Sequence, residues 1–261
     1  LSDTDNSSEV TFEFSEAVTD FAEADLTVAG GTLSNFTKVD GDSYKATFTA
    51  DDDSTTAGSV TVKADSYTDA AGNAGAGGSD TVTVDTANPT VTVNIVDGSL
   101  SDTDNSSEVT FAFSEVVTGF TKADLTVEGG TITDVTTTDN QNYTATFTAD
   151  DDSTTAGKVT VKANSYTDGV GNSGSGNSAT VTVDTTNPTV TVNIVDGSLS
   201  DSDNSSEVTF AFSEVVTDFT KADLTVEGGT ISDVTTTDNQ NFTATFTADD
   251  DSTTAGKVTV K

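Results

Sequence analysis

Apolar residues recur at every second position in short runs along the chain. Residues 90–96 place Val91, Val93 and Ile95 on one face, and residues 108–114 do the same with Val109, Phe111 and Phe113. Residues 143–148, 158–162 and 180–184 alternate in the same way. Alternation of this kind marks strands with one face in a core and the other in water. Leu125, Val127, Ile132 and Val135 predict two further strands, over residues 124–128 and 131–137. No stretch carries a helical period, and Gly129-Gly130 and Gly157 supply turns.

The pattern itself repeats. The run that begins Leu1-Ser2-Asp3-Thr4-Asp5-Asn6 returns 99 residues on at Leu100, and returns at the same interval at Leu199, with Ser202 in place of Thr. The two Pro, Pro89 and Pro188, keep that spacing. Residues 100–162 and 199–261 differ at Thr103/Ser202, Gly119/Asp218, Thr133/Ser232 and Tyr143/Phe242 and nowhere else. A period this long suits a self-contained domain, not a solenoid turn or a propeller blade. Seven short strands per repeat predict an all-β chain of tandem immunoglobulin-like, seven-stranded antiparallel β-sandwiches set end to end. The divisions expected are 1–87, a repeat without its strand A; 88–186, a complete repeat; and 187–261, a repeat without strand G. The chain thus reads as a window on a longer array. Each incomplete repeat is expected to expose an unpaired strand edge, frayed or completed by residues or neighbouring chains outside this stretch. The inter-sheet disulfide and buried Trp of antibody domains are missing, so aliphatic and Phe faces must hold the core alone.

Composition sharpens the picture. Against 44 Asp and Glu stand nine Lys, for a formal charge of -35. Disorder is not indicated, because the chain is dense in Val and Thr and its 14 Phe are regularly placed. The absence of Cys, His, Met and Trp excludes disulfides, thiol and imidazole nucleophiles, and Cys/His zinc sites. So acidic a surface argues against nucleic acid, whose phosphates need basic partners, and against anionic membranes. No apolar run is long enough for membrane insertion. The first residues have neither a basic n-region nor an apolar h-region, so no N-terminal secretion signal is predicted in this stretch.

If successive strands A to G reverse direction, the A–B, C–D and E–F loops and the end of G share one pole. In the middle repeat that pole collects Asp97, Asp102 and Asp104, then Asp150, Asp151 and Asp152, then Asp184 and Asn187. The facing pole of the next repeat offers Glu214 and an F–G loop of the Asp168–Asn172 kind. The equivalent candidates at the preceding joint are Asp3, Asp5, Asp51, Asp52, Asp85 and Asn88, with Glu115 facing them, and those of the last repeat are Asp196, Asp201 and Asp203. Two carboxylates 4 Å apart repel by about 4 kcal/mol at an effective dielectric of 20, and by about 1 kcal/mol in water. A fold that gathers six or more needs something to offset the repulsion. Oxygen-only donors suit Ca²⁺, which accepts irregular coordination, better than Mg²⁺. The alternative is an acidic, Thr-rich surface that is simply solvated, as a solubility or high-salt adaptation. Glu128, Asp134 and Asp139 belong to that class. The segments 69–73 and 168–172 also read as Asp/Asn turns that need no metal, and no loop fits the EF-hand spacing.

Several runs resemble a known family. Val109-Thr110-Phe111-Ala112-Phe113-Ser114-Glu115, Val117-Thr118-Gly119-Phe120 and Ala123-Asp124-Leu125-Thr126-Val127 are similar to the bacterial Ig-like repeats of large surface adhesins. So are Tyr166-Thr167-Asp168 leading into Gly171-Asn172, and Val183-Asp184-Thr185-Thr186-Asn187-Pro188. The resemblance covers essentially the whole chain, and such repeats are similar to the extender regions of type I-secreted RTX adhesins, biofilm and ice-binding adhesins included. It implies calcium at the domain junctions, stiffening the array, with Asp184, Asn187, Asp97, Asp102, Asp104 and Glu115 among the ligands. It also implies an extracellular place on a bacterial cell surface. The implied form is a monomeric rod whose partners are its own neighbouring repeats, with the tip ligand outside this stretch. The RTX nonapeptide G-G-x-G-x-D is absent from the chain.

Two function classes remain: a structural extender, and a direct binding module for sugar, ice or protein using outward Thr such as Thr144, Thr146 and Thr148. Thr is also simply favoured on solvated strand faces. An enzyme lacks support. Paired carboxylates can do acid–base work, but these recur in every copy and the loops offer no apolar cleft to raise a pKa.

Overall fold

A computed structural model describes residues 1–261. The chain is all-β, with three short 3₁₀ turns as its only helical segments, and it forms three tandem immunoglobulin-like domains. Two compact units result: Leu1–Thr185, which holds the first two domains, and Thr186–Lys261, which holds the third.

The middle domain gives the full topology. Strand A is Val91–Ile95, A′ is Ser99–Ser101, B is Ser106–Phe113 and C is Leu125–Glu128. Strand D comes in two pieces, Gly130–Ile132 and Thr136–Thr137; E is Asn142–Ala149, F is Gly157–Val161 and G is Asn177–Asp184. One sheet runs D-E-B-A and the other A′-G-F-C. Its strand pairs are antiparallel except A′–G, which is parallel with Leu100 opposite Val183.

Three details differ from the expected seven strands. Strand A is split, because its apolar alternation stops at Ile95 and resumes at Leu100 after the Asp97-Gly98 turn, so the chain crosses from one sheet to the other. Strand D is interrupted where the Thr133 hydroxyl accepts the Thr146 amide at 2.9 Å, taking over one ladder bond. A 3₁₀ turn, Lys122–Asp124, leads into strand C, and an Asp124 carboxylate oxygen accepts the Thr121 amide at 2.7 Å to hold it.

Register puts the alternating apolar residues into one core. Val109, Phe111, Phe147, Val159 and Val161 are all 1% exposed or less. The Phe147 ring lies over Gly157, where a Cβ would come within 2.6 Å of it, so this glycine makes room for the ring. Phe113, Phe120, Tyr143 and Tyr166 meet edge to face, with centroids from 4.8 to 5.9 Å apart. Each such pair adds about 0.5–1.5 kcal/mol beyond the area it buries.

In the first domain the sheets are B-E-D (Ser7–Glu13, Ser43–Ala50, Gly31–Lys38) and C-F-G (Leu26–Ala29, Gly58–Val62, Gly78–Val82). Leu1 takes the place of A′: its amino group donates to the Thr83 carbonyl at 2.7 Å, and its carbonyl accepts from the Asp85 amide at 2.9 Å. In the third domain the D-E-B-A sheet is present, and strand C (Leu224–Glu227) pairs with F (Lys257–Val260). Val258 and Val260 are half-buried there, whereas their counterparts Val159 and Val161 are sealed by strand G. No helix is long and apolar enough to cross a membrane.

Candidate metal centre

The F–G loop of the middle domain builds itself. Asp168 Oδ1 accepts the amides of Val170, Gly171 and Asn172 at 2.9, 2.7 and 2.9 Å, and its Oδ2 accepts the Asn172 side-chain amide at 2.7 Å. Gly171 has a φ of +100°, which closes the turn and which a residue with a Cβ rarely adopts. Behind the loop the Tyr166 ring covers Gly174, where any Cβ would collide with it. The Tyr166 hydroxyl donates to the carbonyl of Ser175 at 2.7 Å.

The first domain then arrives on top of this loop. Asn172 is fully buried, and its side chain ties three segments together. Its Nδ2 donates to the carbonyls of Asp85 and Ala87 at 2.9 and 3.1 Å, and its Oδ1 accepts the Asp3 amide at 2.6 Å. The linker is anchored from the other side by Thr86, 1% exposed, whose hydroxyl donates to the Asp51 carbonyl at 2.7 Å and accepts the Ser54 amide at 3.0 Å. Thr185 repeats the pattern on Asp150 and Ser153.

Three carboxylates meet at this joint. Oxygens of Asp85, Glu115 and Asp168 all lie within 4.8 Å of one another, and Asp168 is 2% exposed. Asp85 Oδ1 and Asn88 Oδ1 are buried with no hydrogen-bond partner. Glu115 has its pKa raised, first by burial and then by the charges of Asp168 and Asp85. A buried acceptor without a donor costs about 1–3 kcal/mol, so an orphaned oxygen on Asp85 within the repelling trio, and a second on Asn88 three residues along the linker, describe a site fit for a cation. The donor set is oxygen throughout, as a hard cation requires.

The structure thus brings together Asp85, Glu115 and Asp168, with Asn88 and Asn172 at the same joint. It does not bring every sequence candidate there: in the first domain Asp5, Asp51 and Asp52 are exposed, and Asp3 contributes its backbone amide to the joint. Asp97, Asp102 and Asp104, which the sequence reading assigns to the following junction, lie between strands A and B, and Asp150 and Asp151 lie between E and F. Asp184 ends strand G of the middle domain, opposite Ser101. In the second unit, Asn187 precedes strand A (Val190–Ile194), Asp196, Asp201 and Asp203 lie between A and B (Ser205–Phe212), and Glu214 follows B. Sequence reasoning missed Thr86 and Thr185. Their signal was the position itself, one residue after the acidic end of strand G and ahead of Asn-Pro in both copies.

A family model described as a bacterial Ig-like domain matches the chain three times, over residues 1–84, 85–183 and 184–261. No curated protein matches it. Among solved structures, the adhesin InvE of Yersinia pseudotuberculosis is 21% identical, with a TM-score of 0.31 over 60% of this chain and 51% of that one. Invasin, a bacterial integrin-binding protein, is 16% identical, with a TM-score of 0.39 over 97% of this chain and 56% of its own. Domains 1–6 of the surface layer protein SbsC are 15% identical, with a TM-score of 0.26 over 91% of this chain and 32% of that one. The chain spans about half the length of the InvE and invasin chains it matches.

Proposed function

The chain belongs to the bacterial Ig-like domain family, and on that premise we propose that its repeats are calcium-stiffened extenders of a bacterial surface adhesin. They hold a ligand-binding tip away from the cell, in the extracellular space, and their role is mechanical. The RTX class of adhesin is the fuller form of this proposal, and it rests on the resemblance of the repeats.

The observation that carries the reading is the joint between the first two domains. Asp85 comes from the end of one domain, Glu115 and Asp168 come from loops of the next, and Asn88 lies in the linker. These four residues would hold Ca²⁺. The ion would supply positive charge to a cluster of like charges and satisfy the two orphaned oxygens. Because its ligands come from both sides of the joint, binding would restrain bending. The linker contributes without metal: Pro89 fixes its own φ and biases Asn88 toward extended conformations, and Asn172 and Thr86 clamp the backbone between them.

The competing reading, a Thr-rich binding face, has less support. The Thr144 hydroxyl lies 3.3 Å from that of Thr136, so the two groups partly satisfy each other within the sheet.

Calorimetric titration of the whole chain with Ca²⁺, paired with small-angle scattering in Ca²⁺ and in EDTA, tests the proposal. Heat of binding together with a longer, less bent particle in Ca²⁺ is expected. A maximum dimension and bending profile unchanged by chelation would remove calcium stiffening and leave a spacer whose rigidity comes from the linker alone.

A further inference from the structure

The loop that carries Glu115 is held by a second loop of the middle domain. Residues 138–141, between strands D and E, are organised by Asp139. Its Oδ1 accepts the amides of Gln141 and Asn142 at 2.9 and 2.7 Å, and its Oδ2 accepts the Asn142 side-chain amide at 2.8 Å. Asn140 is left-handed there, with a φ of +56°, a conformation Asn adopts more readily than most residues. This loop reaches both ends of the B–C loop. The Gln141 carbonyl accepts the Phe113 amide at 3.0 Å, and its Nε2 donates to the carbonyls of Phe113 and Ser114 at 3.2 and 3.3 Å. The Asn140 carbonyl accepts the Val117 amide at 2.9 Å. Glu115 lies between these anchors. From the other side Ser114 meets the linker: its amide donates to the Thr90 carbonyl at 2.9 Å, and its hydroxyl accepts the Thr90 amide at 3.0 Å.

We propose that Gln141 is a positioning residue for the metal centre, fixing the B–C loop so that the Glu115 carboxylate faces Asp85 and Asp168 before an ion arrives. The proposal rests on the calcium reading of the joint. Its physical ground is preorganisation. Glu115 is repelled by the two carboxylates within 4.8 Å of its own oxygen, so an unrestrained loop would turn it toward water, and binding would bear the cost of ordering it again. The main-chain bonds between the two loops are not special to this domain. In the first domain the Asp42 and Gly41 carbonyls accept the Phe14 and Val18 amides at 2.9 and 3.1 Å. What Gln141 adds is a side-chain donor to the Ser114 carbonyl, which belongs to the peptide unit leading into Glu115. The carboxylate of Asp42, at the equivalent place, has no hydrogen to donate. In the third domain Gln240 repeats the brace on the carbonyls of Phe212 and Ser213, both at 3.2 Å, just ahead of Glu214. A glutamine suits the task because it reaches across and donates without adding charge to an acidic joint.

The test follows Ca²⁺ binding by NMR at the Gly171 and Asn172 amides of the full chain, in the parent, Gln141→Met, Glu115→Gln and the double variant. Met keeps the length of the side chain and lacks the donor, and the first domain forms the same loop contacts without one. Gln141→Met should weaken binding roughly threefold or more in the parent background. Beside Glu115→Gln it should leave the affinity unchanged, because a residue that acts through the Glu115 carboxylate then has nothing to position. In EDTA, amide exchange at Ser114 and Val117 should quicken roughly threefold or more in Gln141→Met, with Asp168 and Asn172 at parental rates. Equal affinity of the parent and Gln141→Met, or an equal loss in both backgrounds, overturns the proposal. Unchanged exchange at Ser114 and Val117 overturns it too. That second measurement judges the brace even if the parent takes up no Ca²⁺, an outcome that removes the calcium reading instead.

Discussion

The F–G loops of the first and second domains are built alike and live differently. In the first domain Asp69 Oδ1 accepts the amides of Ala71 and Asn73, both at 2.8 Å, and Oδ2 accepts the Asn73 side chain at 2.7 Å. In the second domain Asp168 does the same for Val170, Asn172 and the Asn172 side chain. The two loops share their shape, yet Asn73 is exposed and Asn172 is fully buried. The difference is the neighbour. Asn172 meets the Asp85–Ala87 linker and the Asp3 amide, and Asn73 has no such partners. A local turn, formed by Asp and Asn for local reasons, becomes a joint only when a second domain supplies carbonyls, an amide and a further carboxylate.

Calcium should produce the largest contrast. Binding to the folded state alone at a thousandfold excess over Kd stabilises by about 4 kcal/mol, which in a unit of this size raises the midpoint by roughly 8–16 °C. Differential scanning calorimetry in Ca²⁺ and in EDTA should show the rise in the Leu1–Thr185 unit. Identical melting curves would break the comparison at its functional end.

Next in size is the clamp itself. Asn172→Ala removes bonds to Asp85, Ala87 and Asp168 and leaves the Asp3 amide unpaired. At about 1 kcal/mol per bond plus the desolvation of orphaned groups, the loss should be roughly 2–4 kcal/mol. Asn73→Ala, at an exposed site, should cost about 1 kcal/mol or less. Urea denaturation of both variants compares them directly, and equal losses would show that the joint adds nothing to the turn.

Glu115→Gln should change sign with the metal. Glu115 has a raised folded-state pKa, so without Ca²⁺ stability falls as pH rises from the ordinary carboxylate value through the raised one. The Gln variant should abolish that fall and be more stable than the parent at neutral pH in EDTA. In Ca²⁺ it should be less stable, having lost a ligand charge. Thermal melts across pH 4–7 in both media check this, and stabilisation in both would make Glu115 a source of repulsion only.

The smallest effect is a titration. Asp69 is held below the ordinary carboxylate value, chiefly by the hydrogen bond from the Asn73 side chain and then by that residue's amide. Its contribution is present above the unfolded value and is lost as pH falls through the depressed one. Carboxyl carbon shifts followed by NMR in EDTA should place Asp69 below, and Glu115 above, an unperturbed carboxylate. Overlapping curves would erase the distinction between the two sites.

Much of the fold was legible. Two-residue alternation at Val91–Ile95, Val109–Phe113 and Val159–Val161 located strands and their inward faces, because a half-buried strand must alternate. The 99-residue period, visible without any structure, gave three copies of one domain. The split of strand A was less legible, since its cause is which sheet Leu100 can reach after Ile95. The 3₁₀ turn at Lys122–Asp124 was too short to leave a period. At the site, the sequence grouped the acidic end of strand G with a Glu and an F–G loop of the next repeat, but it could not say which oxygens come within reach of one another.

The sequence by itself determined the β class, the period, the core faces and the oxygen-only chemistry of the acidic loops, because each follows from residue type and spacing along one strand or one turn. Only the tertiary structure decided that oxygens of Asp85, Glu115 and Asp168 come within 4.8 Å of one another while Asp5, Asp51 and Asp52 of the same pole stay exposed. It also decided that Thr86 and Asn172 hold the linker between two domains. Spacing orders residues along a strand, but the distance between carboxylates on different loops is set by how far each strand runs and where two domains abut. Those lengths are fixed by packing against partners up to 169 residues away, as the bond from Asp3 to Asn172 is.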